Sequence, residues 1–181
     1  DHIAAGRVFA VQVMARLRDQ FEEFAGRHPI LGICNGYQVL MEMGLLPGGK
    51  TGERRAALAQ NRSARFESRW SRLLVAPTGS FWTDGLEGRF LRMPVAHAEG
   101  RMVLAAGVKV KPAFLYVNDA GQPTEEYPFN PAGSPGGTAG IVDESGLILG
   151  LMPHPERAAL EFHGSTDGLA LFQRMVNYCR G

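Results

Sequence analysis

Apolar residues recur at threes and fours through Val8, Val11, Met14, Leu17, Phe21 and Phe24. That period lays one face of an amphipathic helix against a core. Gly26 offers a C-terminal cap and Pro29 blocks continuation. The pattern then changes: residues 29–34 form an unbroken apolar run ending in Cys34, which predicts a strand buried on both faces. Val39, Leu40 and Met43 resume helical spacing and Gly44 closes it. Strands are predicted at 73–76, 92–96, 102–105, 113–117 and 138–142, and a further apolar run covers 147–152. A last helix over about 167–179 puts Leu169, Phe172, Val176 and Cys179 on one face, with Cys179 in the core. Helix followed by buried strand is the mark of an α/β architecture built on a parallel sheet.

The segments between these elements are of three kinds. Residues 77–88 are rich in turn formers, and 118–137 carry four Pro and four Gly, too many for regular structure. A strand follows the latter, so it is a long excursion within one domain, of the kind that is functional or mobile. Residues 61–70 alternate aromatic and charged side chains, which fits either an edge strand with a solvated face or a partner surface. Residues 44–51 match the P-loop pattern letter for letter. A P-loop must follow a strand and open a helix, whereas here Gly44 ends a helix and Pro47 sits inside the loop. A flexible surface loop is expected instead.

Composition narrows the class. The 181 residues suit one domain, 1–181, with a sizeable core. With 20% charged residues and a net charge of +1 there is no footprint for nucleic acid or an anionic membrane. There is no apolar run of membrane-spanning length. Two cysteines, Cys34 and Cys179, make no disulfide framework. A reducing cytoplasm is the expected setting, where the Asn61-Arg62-Ser63 sequon carries no meaning.

Candidate chemistry begins at Cys34. Gly32-Ile-Cys34-Asn-Gly36 ends an apolar run and opens a helical pattern, the layout of a nucleophile elbow with Cys in place of Ser. A side chain forced out at so sharp a turn crowds its neighbours, so the positions two before and two after should lack a Cβ. A sulfur at a helix N-terminus should favour thiolate. A cysteine after an apolar run is also compatible with an inert packing residue. The second stretch, Pro153-His154-Pro155-Glu156, follows the 147–152 run. Its prolines hold it extended, so His154 and Glu156 face one side and can act as a base and its orienter. Cysteine, histidine and carboxylate together make an activated nucleophile. His97, at a predicted strand end, either packs or lines a pocket; His2, His28 and His163 have no motif.

These residues resemble class I (triad) glutamine amidotransferases through Gly-Ile-Cys-Asn-Gly-Tyr-Gln-Val-Leu and Met-Pro-His-Pro-Glu-Arg. More narrowly, residues 34–38, 61–67, 94–101 and 126–134 are similar to the glutaminase subunits of phosphoribosylformylglycinamidine synthases, along essentially the whole chain. The resemblance implies a three-layer, flavodoxin-like α/β fold with a mixed, mainly parallel sheet. It implies Cys34 as nucleophile, His154 as base, Glu156 as orienter and the Asn35 N–H as an oxyanion donor. Gln38 and the turn containing His97, Ala98 and Gly100 are implied to contact L-glutamine. It implies no metal and no cofactor in this chain; ATP and Mg belong to a large synthetase partner, with a small bridging subunit also expected. Family chains begin with a strand–helix–strand and a glycine-rich loop ahead of the Asp1 position, so the 181 residues are expected to be an N-terminally truncated part of a longer polypeptide.

Two other readings use the same residues. One is a stand-alone cysteine hydrolase of similar fold, such as a γ-glutamyl hydrolase. The other is a catalytically inactive glutaminase-like domain serving as a structural subunit.

Overall fold

The computed structural model describes residues 5–48 and 51–180. His2 and the Gly49 and Lys50 of the P-loop-like string lie outside them. The chain opens with helices α1 (Ala5–Arg16) and α2 (Arg18–Ala25), strand β1 (Ile30–Ile33) and helix α3 (Asn35–Glu42). Strands β2 (Ala56–Gln60), β3 (Glu67–Val75), β4 (Phe90–His97), β5 (Glu99–Leu104) and β6 (Lys111–Tyr116) follow. After a long irregular stretch come β7 (Thr138–Val142), β8 (Ile148–Leu151) and helix α4 (Leu169–Cys179). Six strands form one sheet in the order β1-β8-β7-β6-β3-β4, and β2 pairs with β5 in a separate ribbon. The three-layer α/β class expected from the sequence holds. Among the described strands, β1–β8 is a parallel pair and the other neighbours in the sheet are antiparallel.

One core lies beneath α1, α2, α3 and the β2–β5 ribbon, around Tyr37, Leu40, Met41, Met43 and Ile141. The other lies beneath α4 and the 77–88 turns, around Trp82, Phe114, Leu149 and Leu171. Trp82 is fully buried because its indole N–H finds the Leu147 carbonyl at 2.6 Å. Strands β7 and β8 are buried at every position, as their uninterrupted apolar runs require.

Several expectations are corrected. The N-terminal helix is two helices that break at Leu17, whose φ/ψ of −133°/20° is not helical. Gly26 closes the second in the right-handed region rather than as a left-handed cap. Its apolar stripe is not the buried face: Val8 and Val11 are 59% and 63% exposed, while Gly6, Ala10 and Val13 are buried. Helix α1 packs on α3, and small residues win that contact because they let the helix backbones approach. A Cβ on Gly6 would lie 2.7 Å from Asn35 Oδ1. Among the described strands β1 ends the sheet order, and it is half-buried rather than fully buried.

Residues 61–66 form a turn, and β3 lies between β6 and β4, so the edge position belongs to β4. Within the P-loop-like string, Leu45, Leu46 and Pro47 are buried rather than exposed in a surface loop. Cys179 is exposed; α4 buries Leu171 instead.

Candidate active site

Strands β1 and β8 run in parallel with Ile33 opposite Leu151, so both carry the chain to the same edge of the sheet. That is where parallel strands place sites. The Cys34 N–H continues the ladder onto the Leu151 carbonyl at 2.8 Å. Cys34 itself turns sharply, with φ 50° and ψ −102°, and α3 begins at the next residue. A non-glycine residue in the left-handed half of φ space is strained, as an elbow requires. Gly32 accommodates the turn: a Cβ there would meet Leu40 Cδ1 at 2.5 Å and the Gly36 backbone at 2.8 Å. Gly36 differs from expectation, since a Cβ there would meet nothing within 4 Å among the described residues.

Past β8, the His154 N–H donates to the Pro94 carbonyl at 2.8 Å, tying the segment to β4. His154 Nδ1 lies 2.6 Å from Glu156 Oε1, and Arg157 Nε is 3.4 Å from the same oxygen. The His154 side chain is buried and its Nε2 has no hydrogen-bond partner among the described residues. Burial alone would raise the Glu156 carboxyl, but its hydrogen bond and charge interaction with His154, its own backbone N–H and Arg157 bring it below the usual range.

The thiol behaves otherwise than the sequence suggests. Burial pushes the Cys34 thiol up, and the stabilisation offered by the Asn35 N–H and the Arg157 charge does not offset it. Desolvation therefore outweighs the helix N-terminus here, and the resting group is a protonated thiol. Asn35 is exposed, with its N–H on the sulfur.

β4 sits at the far end of the strand order from β1, yet the sheet brings its last residues to the elbow. Cys34 Sγ donates to the Ala96 carbonyl at 3.8 Å, and Gln38 Nε2 donates to the Glu99 carbonyl at 2.8 Å. His97 is completely buried, with Nδ1 2.9 Å from Asn61 Oδ1 and its ring against Gly100, where a Cβ would come within 2.7 Å of it. Burial, and then the neighbouring His154, lower its pKa to about 4, so His97 is neutral. Cys34, Asn35, Gln38, His97, Ala98, Gly100, His154 and Glu156 thus converge at one edge of the sheet. Asn61 joins them too: it opens the 61–67 stretch that carries the resemblance, but nothing local to it in the sequence assigns it a place in this cluster.

A cleft of about 710 Å3 lies elsewhere, between Arg62, Ser63 and Arg65 on one side and Tyr127, Asn130 and Gly133 on the other. Among the described residues no group of three or more His, Cys, Asp or Glu is arranged to hold a metal. No described helix is long and apolar enough to cross a membrane.

A strained cysteine at a strand–helix turn and a carboxylate-bonded histidine follow neighbouring parallel strands of an α/β sheet, and residues 1–179 match the CobB/CobQ-like glutamine amidotransferase domain. The chain belongs to that family. Within it, the chain is 44% identical over 182 residues to the phosphoribosylformylglycinamidine synthase subunit PurQ of Pyrococcus furiosus, covering 99% of this chain and 76% of the relative. The same subunit of Dehalococcoides mccartyi is 38% identical, with 99% and 75% covered. The structure of PurLQS from Thermotoga maritima matches with a TM-score of 0.75 at 37% identity, over 94% of this chain and 71% of that one.

Proposed function

We propose that residues 1–181 form a glutaminase domain that serves a phosphoribosylformylglycinamidine synthase. It would hydrolyse L-glutamine at Cys34 and deliver the ammonia to a large synthetase subunit. There, with ATP and Mg, formylglycinamide ribonucleotide becomes formylglycinamidine ribonucleotide; a small bridging subunit completes the assembly. The cytoplasm is the setting, where thiols stay reduced. One observation carries the reading: the parallel β1–β8 pair delivers a strained cysteine and a carboxylate-bonded histidine to one edge.

The chemistry follows from the side chains. Glu156 accepts the Nδ1–H of His154, which leaves Nε2 as the basic nitrogen. Because burial keeps Cys34 protonated, the thiol needs that base. His154 Nε2 takes the thiol proton and the sulfur attacks the side-chain amide carbon of glutamine. The Asn35 N–H holds the resulting oxyanion. The imidazolium then gives its proton to the departing nitrogen, ammonia leaves, and a glutamyl thioester remains. His154 next deprotonates a water that attacks the thioester, releasing glutamate and restoring the thiol. An amide is a poor electrophile, and dividing its hydrolysis through a thioester lowers each barrier. Gln38 and the bend containing His97, Ala98 and Gly100 hold the substrate beside the sulfur.

The test is Cys34→Ala in the full-length chain assembled with its synthetase. Glutamine-dependent synthesis should disappear while synthesis from added ammonia continues at the wild-type rate. Survival of glutamine-dependent synthesis would sink the assignment.

A further inference from the structure

The bend joining β4 to β5 has an unusual backbone. The carbonyls of residues 96–100 are engaged one after another. Ala96 O accepts from Cys34 Sγ, His97 O from Asn61 Nδ2 at 2.8 Å, and Ala98 O from the Asn61 backbone N–H at 2.8 Å. Glu99 O accepts from Gln38 Nε2, and Gly100 O from Ser134 Oγ at 3.2 Å. The elbow supplies two of these donors and Asn61 supplies two more. The Asn61 side chain is itself used completely. Its Nδ2 also donates to the Arg65 carbonyl at 2.9 Å, and its Oδ1 accepts from the Gly100 N–H at 3.1 Å and faces His97 Nδ1 at 2.9 Å. An amide offers two donors and one oxygen with two lone pairs, and all four are taken. The two carbonyls facing Nδ2 can only accept, so the opposite atom is the oxygen. His97 must then carry its hydrogen on Nδ1 and its lone pair on Nε2. Asn61 is buried and sits on the turn after β2, outside the six-stranded sheet that positions Cys34 and His154.

We propose that Asn61 is the positioning residue for substrate recognition: its carboxamide holds the 97–100 bend, and the His97 tautomer within it, in the form that receives glutamine beside Cys34. This rests on the glutaminase reading above. A residue of this kind acts on substrate affinity and leaves the reactivity of the thiol alone, which a residue serving stability only would not do.

The experiment is alkylation of Cys34 by iodoacetamide in the full-length chain assembled with its synthetase, over a glutamine series. Iodoacetamide needs no amino-acid recognition, whereas protection by glutamine does. In Asn61→Ala the rate without glutamine should match wild type, and the half-protecting glutamine concentration should rise about tenfold or more, as expected when a buried hydrogen-bond hub is lost. Asn61→Asp keeps both accepted bonds but turns an acceptor oxygen toward the Arg65 and His97 carbonyls, so its half-protecting concentration should rise at least as far. It also decides the matter if the alanine variant does not fold. An unchanged half-protecting concentration in the variants would overturn the proposal. A wild-type complex that glutamine does not protect would overturn the glutaminase reading, and this inference with it.

Discussion

The two halves of the candidate site are held in place by different means. Cys34 and His154 follow neighbouring parallel strands, so the β1–β8 ladder sets their relation and each strand is anchored in a core. The 97–100 bend lies between the β3–β4 and β2–β5 ladders, and the Asn61 carboxamide ties it together across them. A ladder distributes its load over many hydrogen bonds and buried apolar side chains. A hub concentrates it in one carboxamide, whose loss leaves several buried polar groups unpaired. The first half is accordingly suited to chemistry that tolerates no displacement, and the second to recognition that one residue can tune.

The sharpest separation of the halves should come from His154→Gln. In the mechanism proposed above His154 is the general base; removing such a base typically costs about 10²–10⁴-fold, and burial raises the pKa of the Cys34 thiol. Glutamine-dependent turnover in the assembled complex should fall by that order, while the half-protecting glutamine concentration stays at its wild-type value. Asn61→Ala should do the reverse. If both variants changed turnover and protection together, the two halves would be one unit and the contrast would fail.

The bend also carries a pH signature of its own, set by His97. Burial, then His154, lower the His97 pKa from 6.5 to about 4. Between those values the unfolded chain binds a proton at this position that the folded chain refuses. Stability should therefore fall as pH drops through that window, by up to about 3 kcal/mol from this group, and the loss should level off below it. Denaturant unfolding measured from pH 7 to pH 4 checks this. His97→Gln should flatten the dependence in that window; an unaltered slope would mean that His97 ionises normally in the folded state.

How far each half could be read from the sequence follows from the same contrast. β7 matches its predicted 138–142 span because an apolar run with no polar alternation has few alternatives to a buried strand. Cys34, His154 and Glu156 stand out as candidates in the sequence because short motifs with strict spacing hold them, and β1 and β8 run in parallel to the edge where those motifs lie. Asn61 does not, since the four groups it bonds reside at 65, 97 and 100 and only the folded chain puts them round it. The buried face of α1 was missed because period selects large apolar residues, whereas close helix packing selected Gly6, Ala10 and Val13. The thiol's upward shift was missed because burial, unlike a helix N-terminus, leaves no local pattern.

The smallest expected effects sharpen the account of the elbow itself. Spacing alone treats Gly32 and Gly36 as equivalent, but their surroundings differ. A methyl on Gly32 would press on the Gly36 carbonyl carbon and oxygen at 2.8 Å and on Leu40 Cδ1 at 2.5 Å. Backbone cannot yield as a side-chain end can, so Gly32→Ala should lose about 1–3 kcal/mol, the usual cost of overpacking. A methyl on Gly36 meets no described atom within 4 Å, and Gly36 lies in the first turn of α3 with no positive φ. Replacing glycine by alanine in a helix typically gains up to about 1 kcal/mol. Gly36→Ala should therefore leave the unfolding midpoint unchanged or slightly raised. Paired denaturant unfolding of the two variants decides it. Equal destabilisation would mean that the elbow needs both glycines for the same reason. Loss confined to Gly32→Ala would place the whole steric requirement on the strand side, where Gly32 passes beneath the turn and the helix packs down on it.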